Sequence, residues 1–445
     1  RTKVEEKGRR GKKLGGWDQL KDTDAIQSEL AAGHFMELLR WNRSAQPPAT
    51  SSMPRAMRRA IAESRQLASE SQTHLDDRLD LALLLSVAAF DTRDTLEARG
   101  AMLRALQHSP FLVSYLDRFS ESPNIAFTSN GRQLITVGCV QRADGDSGPC
   151  TKSEIHRWDL ASPDTRSATV TIGHNPFKAA LAPDDRTLAA SERGAIRFID
   201  IDTGHYLDPS IENLEHVTYS LAYSPDGTLL AAGDGDGAIT MWDPARRIPV
   251  TAPLREHRSN LPVFGLAFSP DGSLLASAGA DGNVMLWDTE RWQLVKKFTG
   301  HTEKVRSVSF HPDGTILASS SLDGRIILWD VTNLKKLGEP LSGHEDDVTA
   351  VSFARGGSML VSSGNDRMLR LWDWSDPEAA ATPLQGHAGY VWGLAISKDG
   401  QMLASGTQDG WVQTWDASRG VLLDKVIEHW AIQTRQPGIH HVAWH

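Results

Sequence analysis

The sequence predicts a mainly β fold that is built from repeated units and preceded by a short α-helical segment. Three observations support this prediction. From about residue 111 onward, strand-like runs of four to seven residues alternate with Gly/Asp turns. In the same region a two-residue tag, Trp-Asp in six of seven copies, recurs every 41 to 45 residues. Before residue 110, apolar residues instead follow a helical spacing.

Composition and charge exclude several classes of protein. Hydrophobic residues make up 40% of the 445 residues and charged residues 23%, which is ordinary for a globular protein with a large core. A net charge of -9 gives no reason to expect a nucleic-acid partner. The longest apolar run, 79–90, is too short to span a bilayer, and no signal peptide is visible. We therefore expect a cytoplasmic protein without a membrane span. Because the chain starts at Arg1 rather than Met, we also expect a fragment or a processed form.

The two cysteines, Cys139 and Cys150, flank a polar insertion. They are too few for a disulfide framework or a zinc site. They could face each other across a hairpin, but free thiols are the expectation for a reducing cytosol. We expect no metal or other cofactor, because the only histidine-rich stretch lacks a recognisable ligand spacing. That stretch contains His429, His440, His441 and His445.

The region before the repeats divides into two parts. Residues 1–54, which open with a basic run and end in a Pro/Ser-rich stretch, are predicted to be a poorly ordered tail and linker. Residues 55–109 are predicted to form two helices arranged as a helical hairpin. Thr95 is a candidate N-cap for the second helix.

Three markers recur along the repeated units. The first is a turn of the "SPDG" type, as in "LAYSPDG", "LAFSPDG" and "VSFHPDG". The second is "GH", at His301, His344 and His387. The third is the tag itself, found at Trp158-Asp159, Ile199-Asp200, Trp242-Asp243, Trp287-Asp288, Trp329-Asp330, Trp372-Asp373 and Trp415-Asp416.

These markers resemble those of the WD-repeat family across residues 111–445, and the resemblance implies a β-propeller whose blades each contain four strands. It also implies a hydrogen-bonded network of the GH histidine, a serine, a turn aspartate and the tag tryptophan. Four units match at all four positions, which makes a structural role more plausible than a catalytic triad, since a triad would occur once. The quartets are His257/Ser277/Asp281/Trp287, His301/Ser319/Asp323/Trp329, His344/Ser362/Asp366/Trp372 and His387/Ser405/Asp409/Trp415.

The first three units depart from the pattern. The third has Ala232 in place of the serine, the second has Ile199 in place of the tryptophan, and the first has Lys152 in place of the aspartate. We expect these units to lack the network, to depend more on apolar packing and to open locally more easily.

The number of blades depends on how the ring closes. A candidate outer strand, 111–119, precedes the first unit, and another, 420–428, follows the seventh tag. The final "GIHHVAWH" resembles the first strand of a further unit. We expect seven blades closed by pairing of the first and last segments, which would leave no exposed sheet edge; an eight-bladed ring is the alternative.

In the WD-repeat family, partners usually bind the narrow face of the ring. The positions four and six residues before the residue that precedes the "SPDG" turn would lie there. Aromatic residues and arginine at these positions have the composition of a binding hot spot, although the same aromatic side chains could instead pack between blades. The main candidates are Tyr219, Phe264, Lys304, Arg306, Tyr390 and Trp392, and further ones are Phe177, Val217, Pro262, Asp347 and Thr349.

Residues 64–112 resemble the segment that joins the nucleotide-binding module to the propeller in bacterial STAND-type signalling NTPases. The resemblance implies a sensor or autoinhibitory propeller with such a module in cis. The chain itself contains no Walker A motif, because "GRRGKKL" has neither its spacing nor its Ser/Thr.

Three functional hypotheses follow. The first is a non-catalytic protein-interaction scaffold or sensor module of a bacterial signalling protein. The second is an enzyme or ligand-binding propeller with a site on the ring face near the central channel, although the sequence shows no convergent acid/base residues there. The third, a nucleic-acid binder acting through the basic N-terminus, is the least favoured.

Overall fold

The computed structural model describes residues 55–75, 79–93, 95–108, 112–120, 123–143, 150–160, 166–172, 176–192, 194–376 and 379–417. The predicted tail 1–54, the candidate strand 420–428 and the terminal histidines lie outside these residues. The described residues fall into two compact units, of which the first holds most of three helices and the second holds all of the strands.

Three helices occupy the segment in which the sequence predicts a two-helix hairpin; they are α1 (Arg55–Thr73), α2 (Leu79–Thr92) and α3 (Leu96–His108). The additional helix is α2, which corresponds to the apolar run. The prediction did not separate this helix from its neighbours, because apolar residues occupy all of its faces and it lacks the one-sided pattern of an amphipathic helix. Small residues let the helices approach closely, and Ala68, Ala89 and Ala98 are buried together. Thr95 caps α3 as predicted, since its Oγ1 accepts a 3.1 Å hydrogen bond from the backbone N–H of Ala98.

The strands form seven antiparallel sheets, which we number as blades I to VII in chain order. Blade I contains β2 (Asn124–Phe127), β3 (Gln133–Arg142), β4 (Cys150–Asp159) and β5 (Arg166–Ile172). Blade II contains β6 (Lys178–Leu181), β7 (Thr187–Glu192) and β8 (Ala195–Asp200). Blade III contains β9 (Thr218–Tyr223), β10 (Leu230–Asp234), β11 (Ile239–Asp243) and β12 (Ile248–Pro249). Blade IV contains β13 (Val263–Phe268), β14 (Leu274–Gly279), β15 (Asn283–Asp288) and β16 (Gln293–Thr299).

The remaining blades follow the same order. Blade V contains β17 (Val305–Phe310), β18 (Ile316–Ser321), β19 (Arg325–Asp330) and β20 (Lys335–Ser342). Blade VI contains β21 (Val348–Ala354), β22 (Met359–Gly364), β23 (Leu369–Trp372) and β24 (Thr382–Leu384). Blade VII contains β25 (Val391–Ile396), β26 (Met402–Thr407) and β27 (Trp411–Asp416), together with β1 (Leu112–Arg118).

Strand β1 closes the ring. It pairs antiparallel with β27, so that the fourth strand of the last blade comes from the segment before the first. The first strands of consecutive blades contact one another, and the first strand of blade VII contacts that of blade I. The prediction of seven blades with overlapping ends is therefore confirmed. Closure pairs the edge of the last sheet, which an open ring would leave exposed.

Apolar side chains fill the space between neighbouring blades, with one cluster at each of the seven junctions. The tag residue always packs between its own blade and the preceding one. Trp329, for example, lies with Leu286 of blade IV, and Ile199 takes the same place against Ile155 of blade I. The tryptophan of the tag is thus the wedge that joins two sheets, and isoleucine is a smaller substitute.

The aspartates of the tag and of the "SPDG" marker shape the turns in which they lie. Asp288 of one tag accepts hydrogen bonds from the backbone N–H groups of Glu290 and Arg291, at 2.9 and 2.7 Å. In the "SPDG" turns, Asp226 accepts hydrogen bonds from the hydroxyl of Ser224 and the N–H of Thr228, at 2.6 and 3.0 Å. Both markers therefore satisfy backbone donors where a strand ends.

The two cysteines are joined by a disulfide, so the expectation of free thiols is wrong. The β3–β4 hairpin explains the pairing. A register shift after Cys139 sets Gln141 opposite Lys152 and Arg142 opposite Cys150, which brings the two sulfur atoms together across the hairpin. The disulfide thus links β3 and β4 covalently at the end of the hairpin, where the insertion between the cysteines begins and ends.

Replacing Leu116 of the closing strand by alanine should lower the free energy of unfolding by about 2–5 kcal/mol. Leu116 is 8% exposed and packs with Val412 and Leu134 where blades VII and I meet. The control is Val295→Ala on β16, where the side chain is 39% exposed; its effect should stay within about 0.5 kcal/mol. Urea unfolding followed by tryptophan fluorescence measures both, and equal effects would contradict closure by β1.

Candidate functional site

Three polar quartets have the same pattern of hydrogen bonds, each within one blade and the loop that precedes it. In blade IV the indole Nε1 of Trp287 donates to Ser277 Oγ at 2.9 Å, Ser277 Oγ bonds to His257 Nε2 at 2.8 Å, and His257 Nδ1 bonds to Asp281 at 3.0 Å. Blades V and VI repeat these bonds with distances between 2.6 and 2.9 Å. Their members are His301, Ser319, Asp323, Trp329, His344, Ser362, Asp366 and Trp372.

The quartets have the wiring of a Ser-His-Asp triad but are sealed from solvent. Because a carboxylate faces Nδ1, the histidine Nδ1–H donates to the aspartate, and the serine hydroxyl donates to Nε2. The serine oxygen then accepts the indole N–H. Ser277, Ser319 and Ser362 are each 0% exposed, so no substrate reaches the hydroxyl. The arrangement ties the tag tryptophan, the second strand and the preceding loop of one blade to one another around a buried hydroxyl.

The quartet aspartates also fix two loops. Asp323 accepts hydrogen bonds from the backbone N–H groups of Thr302, after the GH histidine, and Arg325, in the turn between the second and third strands. Burial by itself would raise the pKa of Asp281 and of Asp366, but hydrogen bonds from His257 and His344 and from backbone N–H groups hold both pKa values below the usual range. Burial lowers the pKa of His301, against the opposing effect of Asp323.

The fourth quartet is incomplete. Trp415 Nε1 donates to Ser405 Oγ at 2.8 Å and His387 Nε2 bonds to the same oxygen at 2.8 Å, but His387 Nδ1 does not bond to Asp409. A buried glutamine accompanies the difference: Gln413 Nε2 donates to the carbonyl of Gly386, at 3.1 Å. Burial lowers the pKa of His387 to about 3, so its imidazole is neutral.

The expectation that the first three blades lack the hydrogen-bonded network is met only in part. In blade I the indole of Trp158 does find a hydroxyl, since its Nε1 donates to Thr136 at 3.2 Å. The sequence comparison missed this bond because the insertion lengthens the spacing from hydroxyl to indole. In blade III, Trp242 Nε1 has no hydrogen-bond partner among the described residues, and Ala232 stands where the serine belongs.

The candidate partner-binding residues lie at the start of the innermost strands, around one opening of the central channel. We call the position immediately before or at the start of these strands the channel rim. It is occupied by Pro123, Phe177, Tyr219, Phe264, Arg306, Thr349 and Trp392. Phe177 is 56% exposed, Tyr219 41% and Trp392 43%, which are high values for aromatic side chains. Thr349 is buried and bonds to the carbonyls of Ser363 and Val391, so its assignment as a surface candidate is wrong.

Contacts join the rim residues of blades III to V. The rings of Tyr219 and Phe264 meet edge to face with centroids 5.9 Å apart. The guanidinium of Arg306 lies over the ring of Phe264, 4.4 Å from the ring centroid. These contacts hold three large side chains in fixed positions at the surface, which lowers the entropy that a partner would have to remove on binding.

A second set of contacts continues to blade VII. Trp392 Nε1 donates to Asn365 Oδ1 at 3.1 Å, and Asn365 Nδ2 donates to Asp347 at 3.0 Å. Burial and the charge of Asp346 raise the pKa of Asp347, while Arg306 opposes the shift. The two sets of contacts, one from Tyr219 to Arg306 and the other from Asp347 to Trp392, line neighbouring parts of the rim, and we call this part of the rim the arc.

The other candidates flank this arc, and two residues of the site were not predicted. Lys304 is exposed and Tyr390 is 43% exposed, each two residues before a rim residue. Asn365 was missed because only the innermost strands were considered as candidate positions, whereas Asn365 lies in the turn after β22, the second strand of blade VI. Lys178, next to Phe177, was missed as well; a comparison of the innermost strands, where every other unit has a short side chain, would have found it.

Other kinds of site are not found among the described residues. They contain no group of three or more His, Cys, Asp or Glu side chains that could hold a metal ion. None of the described helices is both long enough and apolar enough to cross a membrane.

Fold and site together define the chain as a closed seven-bladed β-propeller with an aromatic rim. The family model described as WD domain, G-beta repeat, matches five segments, 210–243, 249–288, 292–330, 335–373 and 380–416. The chain thus contains five WD40 repeats, which supply the three inner strands of each of blades III to VII. A comparison with curated proteins found no match.

Substitutions at the serine position of the quartet should change the free energy of unfolding in opposite directions in blades V and III. Ser319→Ala should lower the free energy of unfolding by about 2–4 kcal/mol, because it leaves Trp329 and His301 without their shared oxygen. Ala232→Ser should raise it by about 1 kcal/mol, because it offers Trp242 an acceptor. Chemical denaturation of the two variants tests the pair, and a loss of stability in Ala232→Ser would contradict the assigned role.

Protonation of His387 should destabilise the fold in acid. Its folded pKa, about 3, lies below the unfolded value of about 6.5, so its contribution is complete above pH 6.5 and is lost as the pH falls towards 3. Between about pH 7 and pH 5 the loss should be about 2 kcal/mol. Denaturation of the wild type, of His387→Gln and of the control His205→Gln, whose side chain is exposed, measures it. An unchanged pH slope in His387→Gln would contradict the prediction.

Proposed function

We propose that this protein is a non-catalytic interaction platform whose channel rim binds a protein partner. The observation that supports the proposal most strongly is the exposed and prearranged arc from Tyr219 to Trp392. Propellers with WD40 repeats typically bind protein partners. Large aromatic side chains and arginine, held at the surface by neighbours, are the residues that dominate protein–protein affinity.

Exposure distinguishes this rim from ordinary blade packing. A tyrosine or tryptophan that only filled the space between blades would be buried, as Trp287 and Trp329 are at 2% exposure. Trp392 and Tyr390 each leave 43% of their surface in solvent. Leaving this apolar surface in water is unfavourable in the free protein, and a partner that covered it would recover that free energy.

We further propose that the propeller acts as a sensor module of a bacterial signalling protein, with a STAND-type NTPase module in cis. The support is the resemblance of residues 64–112 to the linker of such proteins. A cytoplasmic location is part of this second proposal, and the Cys139–Cys150 disulfide argues against it, because disulfides persist mainly in oxidising compartments.

Trp392→Ala should weaken partner binding strongly without unfolding the protein. Its ring is half exposed, and the backbone at Trp392 belongs to the β25–β26 ladder, so the alanine variant should lose less than about 1 kcal/mol of stability. Immobilised wild type and variant are compared for proteins retained from a lysate of the source cells, and each retained protein is then purified and titrated. The expected loss of affinity is about 30-fold or more.

The matched control is Ile248→Ala, which removes a similarly exposed apolar side chain from the outer strand β12. Ile248→Ala should retain the partner. If the control loses the partner as well, or if Trp392→Ala binds as tightly as the wild type, the rim is not the binding surface.

A further inference from the structure

A cavity of about 450 Å³ lies between the turn that joins β18 to β19 and the loop that precedes β21. Four acidic residues and one arginine are among the residues that line it: Asp323, Glu345, Asp346, Asp347 and Arg325. Negative charge therefore predominates in this cavity, which we call the acidic cleft.

Three of the four carboxylates have no ion-pair partner. Asp323 is bonded to His301 in the quartet of blade V. In the part of the chain that the structure describes, no lysine, arginine or histidine nitrogen lies within ion-pair distance of Glu345, Asp346 or Asp347. Burial and the charge of Asp346 both raise the pKa of the half-buried Asp347. A cation beside Asp347 would offset both effects.

Hydrogen bonds join the acidic cleft to the exposed aromatic surface of blade VII. Asp347 accepts a bond from Asn365 Nδ2 at 3.0 Å, and Asn365 Oδ1 accepts the indole N–H of Trp392 at 3.1 Å. The backbone N–H of Asn365 also donates to the carbonyl of Asp347, at 2.9 Å, which fixes the same two segments a second time. Tyr390 and Trp392 are each 43% exposed. An open aromatic surface and a carboxylate without an ion-pair partner thus lie two hydrogen bonds apart.

Both features favour the same ligand chemistry. The side chain of lysine or arginine has an apolar stem that can cover aromatic surface and a cationic end that can pair with a carboxylate. An acidic side chain would be repelled by the cleft, and a purely apolar one would leave its carboxylates without a partner. Charge complementarity therefore selects a basic ligand for this part of the rim.

We propose that the acidic cleft and the aromatic side chains beside it bind a basic segment of a protein partner, which lays a lysine or arginine side chain against Trp392 with its cationic end at Asp347. The proposal rests on the proposed function of the channel rim and adds the chemistry of the bound segment. Further cations of the segment occupy the cleft beside Glu345 and Asp346.

The test is fluorescence anisotropy with fluorescein-labelled octaarginine, and with labelled octaglutamate as the probe of opposite charge. Asp347→Asn removes the charge but keeps an oxygen for the bond from Asn365, so the rim contacts should persist. Asp347→Asn, Glu345→Gln and Trp392→Ala should each weaken octaarginine binding about tenfold. Circular dichroism confirms that each variant is folded.

Two control variants match these substitutions outside the site. Glu339→Gln removes a carboxylate whose side chain is 92% exposed on the outer strand β20, and Ile248→Ala removes an exposed apolar side chain from β12. Neither should change octaarginine binding. Equal weakening in Glu339→Gln would reveal a diffuse attraction to a chain of net charge -9 and would overturn the proposal.

The remaining outcomes separate this inference from the proposed function. Weaker octaarginine binding in the three site variants, with both controls unchanged, supports the basic segment. Tighter binding of octaglutamate than of octaarginine overturns it, and so does octaarginine binding that Trp392→Ala leaves unchanged. Partner capture that is lost in Trp392→Ala but is unaffected by Asp347→Asn and Glu345→Gln would overturn the basic segment and leave the proposed function of the rim in place.

Discussion

The hydrogen bond from a tag indole to a hydroxyl on the second strand is the interaction on which this ring depends. It occurs in five blades, with Thr136, Ser277, Ser319, Ser362 and Ser405 as acceptors. A tryptophan is large enough to fill the wedge between two sheets, but burying its N–H without an acceptor costs about 1–3 kcal/mol. The hydroxyl removes that cost and also connects the indole to a histidine, so that packing and loop position are set together.

The two blades without this bond show what replaces it. Blade II uses Ile199, which needs no acceptor, and adds ion pairs at its surface: Arg197 with Glu192 and Glu212, and Arg186 with Asp200, whose pKa falls to about 2 through the bond to Arg186. Blade III keeps Trp242 but leaves its N–H without an acceptor among the described residues. Stability is therefore distributed unevenly around the ring, and blades II and III are where local opening is expected.

The sequence was sufficient for the features that repeat. The spacing of the tags predicted the seven blades, and the spare strand-like segment before the first tag predicted closure, because a regular period places equivalent residues in equivalent positions. Features that occur once were harder to predict. Thr136 and the disulfide both depend on a hairpin whose length differs from the other blades, and the missing bond between His387 and Asp409 coincides with a buried Gln413. The contact of Asn365 with Trp392 joins residues of different blades, which no local pattern reveals.

The same repetition that makes the quartets structural leaves the rim free to vary, since five of the seven blades contribute a rim residue that is at least partly exposed to solvent. The central claim, that the indoles are held by buried hydroxyls, is tested most directly by hydrogen exchange of the indole N–H groups in the folded protein, measured by NMR. Trp287, Trp329, Trp372 and Trp415 should exchange slowly, whereas the half-exposed Trp392 should exchange quickly. Exchange of Trp329 as fast as that of Trp392 would contradict the account.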